Sequence, residues 1–413
     1  MLVVVYDTGS LSPRRLAEIA AENDCELCFV AAASDHTAEM EPVLRMFGTV
    51  VEGDAMPERE LVRLLGGMRP RGVVTFSESQ IRRTARLADA LGLPGIDPAD
   101  VTAITTKDGQ RHRFADAGLD ATRYRAVSRV DEIDQAIKFV GLPAVVKPAV
   151  GTSSRNTLPV FTHEASRAAM RGLLLADSGA SREPVVVLEE LIVGRPVAEP
   201  WGDYLAVDCL ANGSDVRPVF VTSKFAVAEP FRERGGYGPG SVVPAADVRE
   251  ACDVACRAVR ALNIRHGIAD VELKLTTSGP RLIEVNARLG GWVDDLAMRS
   301  GHADVAGIAV GAALGRDVDI PDAVEPKADG VAFYCTLIPP LWATRVGTVS
   351  AGSKLRRIAN VDSVTVIARP GSEIDWRRGT RSNVASVRGC AKSFADLAVT
   401  LAQIEDCDWI EYR

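Results

Sequence analysis

The sequence predicts a multidomain chain, α/β in its first hundred residues and α+β after them. Three observations carry this: length, an early alternation of short β-branched runs with helical periodicity, and a change near residue 204 to longer alternating strands. At 413 residues the chain exceeds what one hydrophobic core supports, roughly 250–300 residues, so several packed units are expected. Leu2–Tyr6, Glu26–Ala32 and Gly72–Phe76 read as strands; Ser12–Glu22, Pro57–Leu65 and Ile81–Leu91 read as helices. That order makes a parallel unit covered on both faces. The turn Asp7–Pro13 lacks the G-x-G-x-x-G spacing of a dinucleotide site. Pro94, Gly95 and Pro98 mark a boundary, giving a first domain at 1–103.

Beyond it, Lys107–Ala117, Glu164–Leu175 and Ala251–Leu262 read as helices. Ala144–Lys147, Val185–Leu188, Tyr204–Leu210, Pro218–Thr222, Val271–Leu275 and Arg281–Val285 read as strands, and 104–312 is taken as two lobes, 104–188 and 189–312. The last segment, 313–413, mixes the strands Gly330–Thr336 and Ser363–Ala368 with the helix Ser393–Ile404.

Composition narrows function. Apolar residues make up 47% and charged residues 25%, which fits a globular interior rather than disorder. A net charge of -7 and a pI near 5.5 argue against nucleic acid as a partner. No run reaches the roughly 18 apolar residues of a membrane span, and Met1–Asp7 has no signal-peptide pattern, so a cytoplasmic protein is expected. Cys25-x-x-Cys28 runs into an apolar strand without a second ligand pair, and the five histidines show no ligand spacing.

The chemistry concentrates in Gly267–Gly291, read as a hairpin turning at Thr277–Pro280. Alternation puts Glu284, Asn286 and Arg288 on one side and Ile283, Val285 and Ala287 on the other, with Glu272 facing them from the partner strand. Two carboxylates and a carboxamide oxygen are hard ligands suited to Mg²⁺, with Arg288 beside the metal as a fixed positive group.

Leu282-Ile-Glu-Val-Asn-Ala-Arg-Leu-Gly-Gly291 resembles the metal-binding hairpin of the ATP-grasp superfamily, in the form found in its amino-acid and dipeptide ligases, including carnosine-synthase-like enzymes. The resemblance implies an ATP-grasp fold with an α/β domain before it and a small α+β domain after it. It also implies ATP and Mg²⁺, or Mn²⁺, as cofactors. Glu272, Glu284 and Asn286 would hold the metal, and Arg288 would stabilise the acyl-phosphate and tetrahedral species. Thr106–Arg111 resembles the family's opening D-K-x-x-x-R helix and Leu142–Pro148 its second lysine strand, so Lys107 and Lys147 would meet the phosphates. Gly151, Thr152, Ser153 and Ser154 would form the flap over them. Glu189, Glu190, Leu191 and Ile192 resemble the hinge that reads adenine. The ribose carboxylate departs from the pattern, with Glu199 and Asp203 both open.

The Gly-rich segment 231–244 reads as a flexible cover that carries Arg232, Glu233, Arg234 and Tyr237 and closes on charged substrates. Glu78, at a strand end, would meet a substrate amine; Gly291 and Trp292 would flank the reacting carboxylate. The implied activity is ATP-dependent joining of a carboxylate, an amino acid or peptide-like acid, to an amine with release of ADP and phosphate. Small-molecule substrates, no membrane, and an assembly open to homodimerisation go with it. A non-peptide carboxylate ligase or carboxylase of the superfamily is the alternative enzyme. A nucleotide-binding regulator without turnover is the alternative from another class.

Overall fold

In the computed structural model, which describes residues 1–151, 154–176, 185–326, 328–349, 352–406 and 410–413, the chain opens with a parallel sheet. Its strands are β1 (Leu2–Tyr6), β2 (Leu27–Ala31), β3 (Thr49–Glu52) and β4 (Gly72–Val74), in the order β3-β2-β1-β4. Alternate residues of β1 enter two separate cores, Leu2, Val4 and Tyr6 on one face and Val3 and Val5 on the other. That is why its sequence is apolar throughout rather than alternating. The helix Asp35–Phe47, with Pro42 inside it, and β3 fill the stretch between the expected elements.

A second, antiparallel sheet of β5 (Tyr124–Val127), β6 (Ala144–Pro148), β7 (Leu158–Val160) and β8 (Val186–Glu190) has the order β5-β8-β6-β7. The helices Ile133–Val140 and His163–Leu175 share its core with Val146, Val160 and Leu188.

The third sheet has eight strands. They are β9 (Trp201–Asn212), β10 (Asp215–Phe225), β11 (Gly235–Gly238), β12 (His266–Thr276), β13 (Gly279–Asn286), β14 (Val331–Leu337), β16 (Val361–Val366) and β17 (Ala385–Ala391), the short β15 (Val346–Val349) pairing elsewhere with β18 (Ile410–Tyr412). The order β13-β12-β9-β10-β11-β14-β17-β16 makes the carboxy-terminal strands a continuation of the hairpin sheet. The boundary expected at 312–313 falls at the end of the helix Val305–Ala313, and the sheet bridges it.

The flexible cover expected at 231–244 is corrected here, because part of it is β11, a central strand paired on both sides. The glycines serve close packing rather than mobility. A Cβ on Gly235, whose φ is +127°, would stand 2.1 Å from the Tyr334 carbonyl oxygen, and one on Gly236 2.9 Å from that of Ser223.

Candidate active site

A cavity of about 450 Å³ opens between the second and third sheets, lined by residues from both. Its chemistry begins at the edge strand β13, whose free backbone groups are capped by side chains rather than by another strand. Gln110 donates to the Val285 carbonyl at 2.7 Å and accepts from its N–H at 2.9 Å. Arg111 donates to the carbonyls of Leu282 at 2.7 Å and Ile283 at 2.9 Å, and Asp120 accepts from Leu282 N–H at 3.1 Å. This clamp fixes the helix Lys107–Asp116, capped by Thr106, with its first residue against the hairpin. Lys107 Nζ accordingly stands 2.9 Å from Glu284 Oε2 and donates to the Gly151 carbonyl at 3.0 Å.

Opposite, Lys147 on β6 and Glu189 on β8 are buried together. Glu189 accepts from Lys147 and, at 3.0 Å, from Arg111 Nε. Burial raises its pKa, but the charges of Arg111 and Lys147 outweigh burial and bring it down to about 2. Lys147 is pushed below the ordinary lysine range, by burial first. The Glu189 carboxylate thus orients the lysine, while Glu190, Leu191 and Ile192 line the cavity beyond it.

Hairpin register builds two transverse rows. Ala206, Glu272 and Glu284 form one across β9, β12 and β13, and Asp208, Asp270 and Asn286 the next. Arg288 reaches Asp270 Oδ2 at 3.2 Å and Glu78 Oε2 at 3.2 Å. Asp208 is fully buried and accepts the Gly290 N–H at 2.7 Å; a Cβ on Gly290 would meet Val293 at 2.8 Å and Asp208 at 3.1 Å, so the glycine is required there. Glu284 is raised by burial, but Lys107 and Lys147 together hold it below the carboxylate range. Glu272 differs: burial, Glu284 and Asp270 push it up to about 8.

Glu272 supplies the fit test for a cation, since Glu284 and Asp270 press on it, Lys224 offsets them only in part, and no lysine or arginine forms an ion pair with it among the described residues. Among the described residues no three or more His, Cys, Asp or Glu side chains converge into a cage. Two carboxylates and a carboxamide fit Mg²⁺, which keeps water and phosphate oxygens as its other ligands. The Asn286 side-chain amide donates to Asp270 at 3.3 Å, and its carboxamide oxygen has no partner among the described residues.

Several other predicted residues line the same cavity: Gly151, Ser154, Gly291 and Trp292. Trp292 adopts φ +69° and is 37% exposed, so it is not a core residue; its ring stacks on Tyr334 at 5.6 Å and lies under Arg388 at 5.2 Å. Thr152 and Ser153 fall outside the described residues. Glu78 lies behind Arg288, paired with it rather than open to the cavity.

Glu199, Asp203, Tyr237 and Arg232 lie outside the cavity lining. Glu199 is exposed and lies outside the lining, whereas Asp203 is held at 2.6 Å by Lys274, which does line it. Tyr237 is buried among Trp201, Phe225 and Phe394, because β11 points it into the carboxy-terminal core. Arg232 donates to the carbonyls of Glu229 and Pro339, at 2.6 and 2.5 Å, and stands off the cavity.

The sequence reading missed Asp208, Asp270, Lys224 and Tyr334, and Glu233, expected on the 231–244 cover, lines the cavity grouped with Lys224 and Tyr334. Lys224 Nζ is 2.7 Å from Glu233 and 3.2 Å from the Tyr334 hydroxyl, which also donates to Glu233. Asp270 carried a signal, two residues before Glu272 and so on the same face. Asp208 and Tyr334 carried none, since distant strand register brings them in.

Residues 140–295 match the ATP-grasp domain family. The chain thus carries an ATP-grasp domain, and its relatives include amino-acid ligases. It is 28% identical over 376 residues to carnosine synthase 1 of Gallus gallus, covering 86% of this chain and 40% of that protein. It is 20% identical over 379 residues to the alanine–anticapsin ligase of Bacillus subtilis (strain 168), covering 82% and 80%. The solved L-amino acid ligase from Bacillus licheniformis superposes with a TM-score of 0.76 at 20% identity, over 100% of this chain and 98% of that one. The chain spans less than half the length of the carnosine synthases it matches. Among the described residues no helix is long and apolar enough to cross a membrane.

Proposed function

We propose that this chain activates the carboxylate of an amino acid or peptide-like acid with ATP and joins it to an amine. A carboxylate oxygen takes the γ-phosphoryl group, releasing ADP. The amine nitrogen then attacks the acyl carbon, the C–O bond to phosphate breaks, and the amine proton is lost to solvent as phosphate departs. The observation that carries this reading is the meeting, in one cavity, of Lys107 and Lys147 with Glu272, Glu284, Asn286 and Arg288.

The two lysines are point charges suited to phosphate oxygens, and Glu189 holds Lys147 in place. Glu190 to Ile192 would border the adenine, and Ser154 with Gly151 the phosphates. Glu272, Glu284 and Asn286 would hold Mg²⁺ or Mn²⁺, which offsets charge on a transferring phosphoryl group when bound. Arg288, fixed by Asp270 and Glu78, is a preorganised cation for the oxyanion of the tetrahedral species. Gly291 and Trp292 would flank the acid.

The test uses hydroxylamine as a general amine. With ATP, Mg²⁺ and a panel of amino acids, the reading expects acid-dependent ADP and phosphate together with the matching hydroxamate. Stoichiometric AMP and pyrophosphate would replace it with an adenylate mechanism. Bicarbonate-dependent ADP release without hydroxamate from any amino acid would point to a carboxylase of the same superfamily.

A further inference from the structure

The cavity has a wall that the ATP-grasp hairpin does not supply. Along β17, Ala385, Val387 and Ala391 point into the carboxy-terminal core, so Ser386 and Arg388 face the other way. In register with β14, Thr336 lies opposite Ser386 and Tyr334 opposite Arg388. Trp292, seated between Tyr334 and Arg388, joins this wall to the Arg288–Gly291 end of the site. Two residues along the strands, roughly 6–7 Å further on, Thr336 and Ser386 line the cavity, followed by Asn383, Thr380 and Ile367.

Two of these groups are left without partners. Asn383 is 7% exposed and Ser386 is 2% exposed, yet neither side chain makes a hydrogen bond to any described residue. Native structures pair nearly all such buried polar groups, so a pair left open on a cavity wall is a feature a ligand would satisfy. The Asn383 carboxamide offers donors and an acceptor, and the Ser386 hydroxyl both as well. The wall residues Thr336, Ile367, Thr380, Asn383 and Ser386 carry no charge. At the far end the Asn156 N–H donates to the Arg377 carbonyl at 3.0 Å, which brings the loop beside Ser154 against this same carboxy-terminal segment.

We infer that this carboxy-terminal wall sets the acid specificity, with Asn383 and Ser386 reading a neutral hydrogen-bonding group, such as a carboxamide or hydroxyl, on the side chain of the activated acid. The inference rests on the ligase reading above. It makes the carboxy-terminal strands part of the substrate site rather than an appended support.

The experiment is the hydroxamate assay with two pairs of acids close in volume, L-asparagine against L-leucine and L-glutamine against L-methionine. The wild-type chain should favour at least one amide over its apolar counterpart by about 10-fold or more in kcat/KM, because a site built to hydrogen-bond rejects an analogue that cannot. Asn383→Leu should bring that ratio to about one or reverse it, with the nucleotide Kd, read by calorimetry with a non-hydrolysable ATP analogue, unaltered. Ser386→Ala should lower the ratio by about 3- to 10-fold, and serves alone if Asn383→Leu fails to fold. A wild-type preference for the apolar acids, or a ratio that neither variant moves, would overturn the inference while leaving the ligase reading intact. No acid-dependent ADP release from the wild type with any acid would overturn both.

Discussion

Two glutamates on opposite sides of one cavity have opposite fates. Glu189, on the lobe made by β6 and β8, lies between Arg111 and Lys147 and is brought down to about 2. Glu272, on the hairpin sheet, has Glu284 and Asp270 as neighbours and is pushed up to about 8. Burial raises both; what differs is whether the chain itself supplies the compensating cation. On the first side the charges are closed among themselves, and the carboxylate holds the fold. On the second the account is left open, as expected where a cation arrives with the substrate.

The comparison breaks most visibly at Glu189. Glu189→Gln leaves Arg111 and Lys147 buried with one counter-charge fewer, and a loss of about 3–5 kcal/mol is expected from removing one partner of a buried pair. The sign with pH follows from the depressed pKa. The contribution is complete above the ordinary glutamate value of 4.5 and is lost as pH falls from there towards about 2. Denaturant titrations of wild type and variant should therefore differ most at neutral pH and converge in acid. A constant gap down to pH 2 would remove the ion-pair explanation.

Glu272→Gln should do the reverse. Its carboxyl is already held in the neutral form by its surroundings at neutral pH, so an amide of the same shape should leave the melting temperature nearly unchanged. Turnover should fall on the order of 100-fold, and the Mg²⁺ requirement should rise, as for loss of a metal ligand. A large drop in stability with ordinary turnover would mean the two glutamates share one structural role.

These contrasts also mark what could be read from sequence. The hairpin was legible where Glu284, Asn286 and Arg288 alternate with Val285 and Ala287, but a register shift beside Glu272 puts Leu282 in the core and leaves Ile283, expected there, on the cavity wall. Lys107 and Lys147 were legible through motifs, but the clamp that makes them meet Glu284 and Glu189 was not. It depends on Gln110, Arg111 and Asp120 capping a strand more than 150 residues away. The glycines of 235–238 misled, since the same residue serves a loop or a crowded strand and only the neighbours decide. Asn383, Ser386 and Tyr334 were invisible because β14 and β17 join the site through sheet order, which local sequence does not encode.

Trp292 sharpens the boundary between the hairpin and the carboxy-terminal wall. Its ring is 37% exposed and stacked between Tyr334 and Arg388, so Trp292→Ala forfeits stacking rather than a sealed core position. The cost should be about 1–2 kcal/mol, well short of a buried aromatic truncation. Bulkier acids should gain acceptance in the hydroxamate panel, because the lost indole is cavity wall. An unaltered acid range with a steep fall in melting temperature would return Trp292 to the core.

The smallest effect is expected at Arg232, and it tests the correction to the 231–244 segment. Were that segment a mobile cover, Arg232 would close on charged substrates and its loss would raise KM. In the fold it does something else: its guanidinium donates to the Glu229 and Pro339 carbonyls, bracing the turn before β11 against the segment after β14. Arg232→Ala removes two hydrogen bonds at a partly buried position, where burial already holds the guanidinium below its ordinary pKa. Roughly 1–2 kcal/mol of stability should be lost, allowing about 1 kcal/mol or less for each neutral-acceptor bond. Steady-state measurements should find KM for acid and ATP close to wild type, since Arg232 stands outside the cavity lining. A KM for the acid raised tenfold at unaltered stability would restore the closing cover and place Arg232 in contact with substrate.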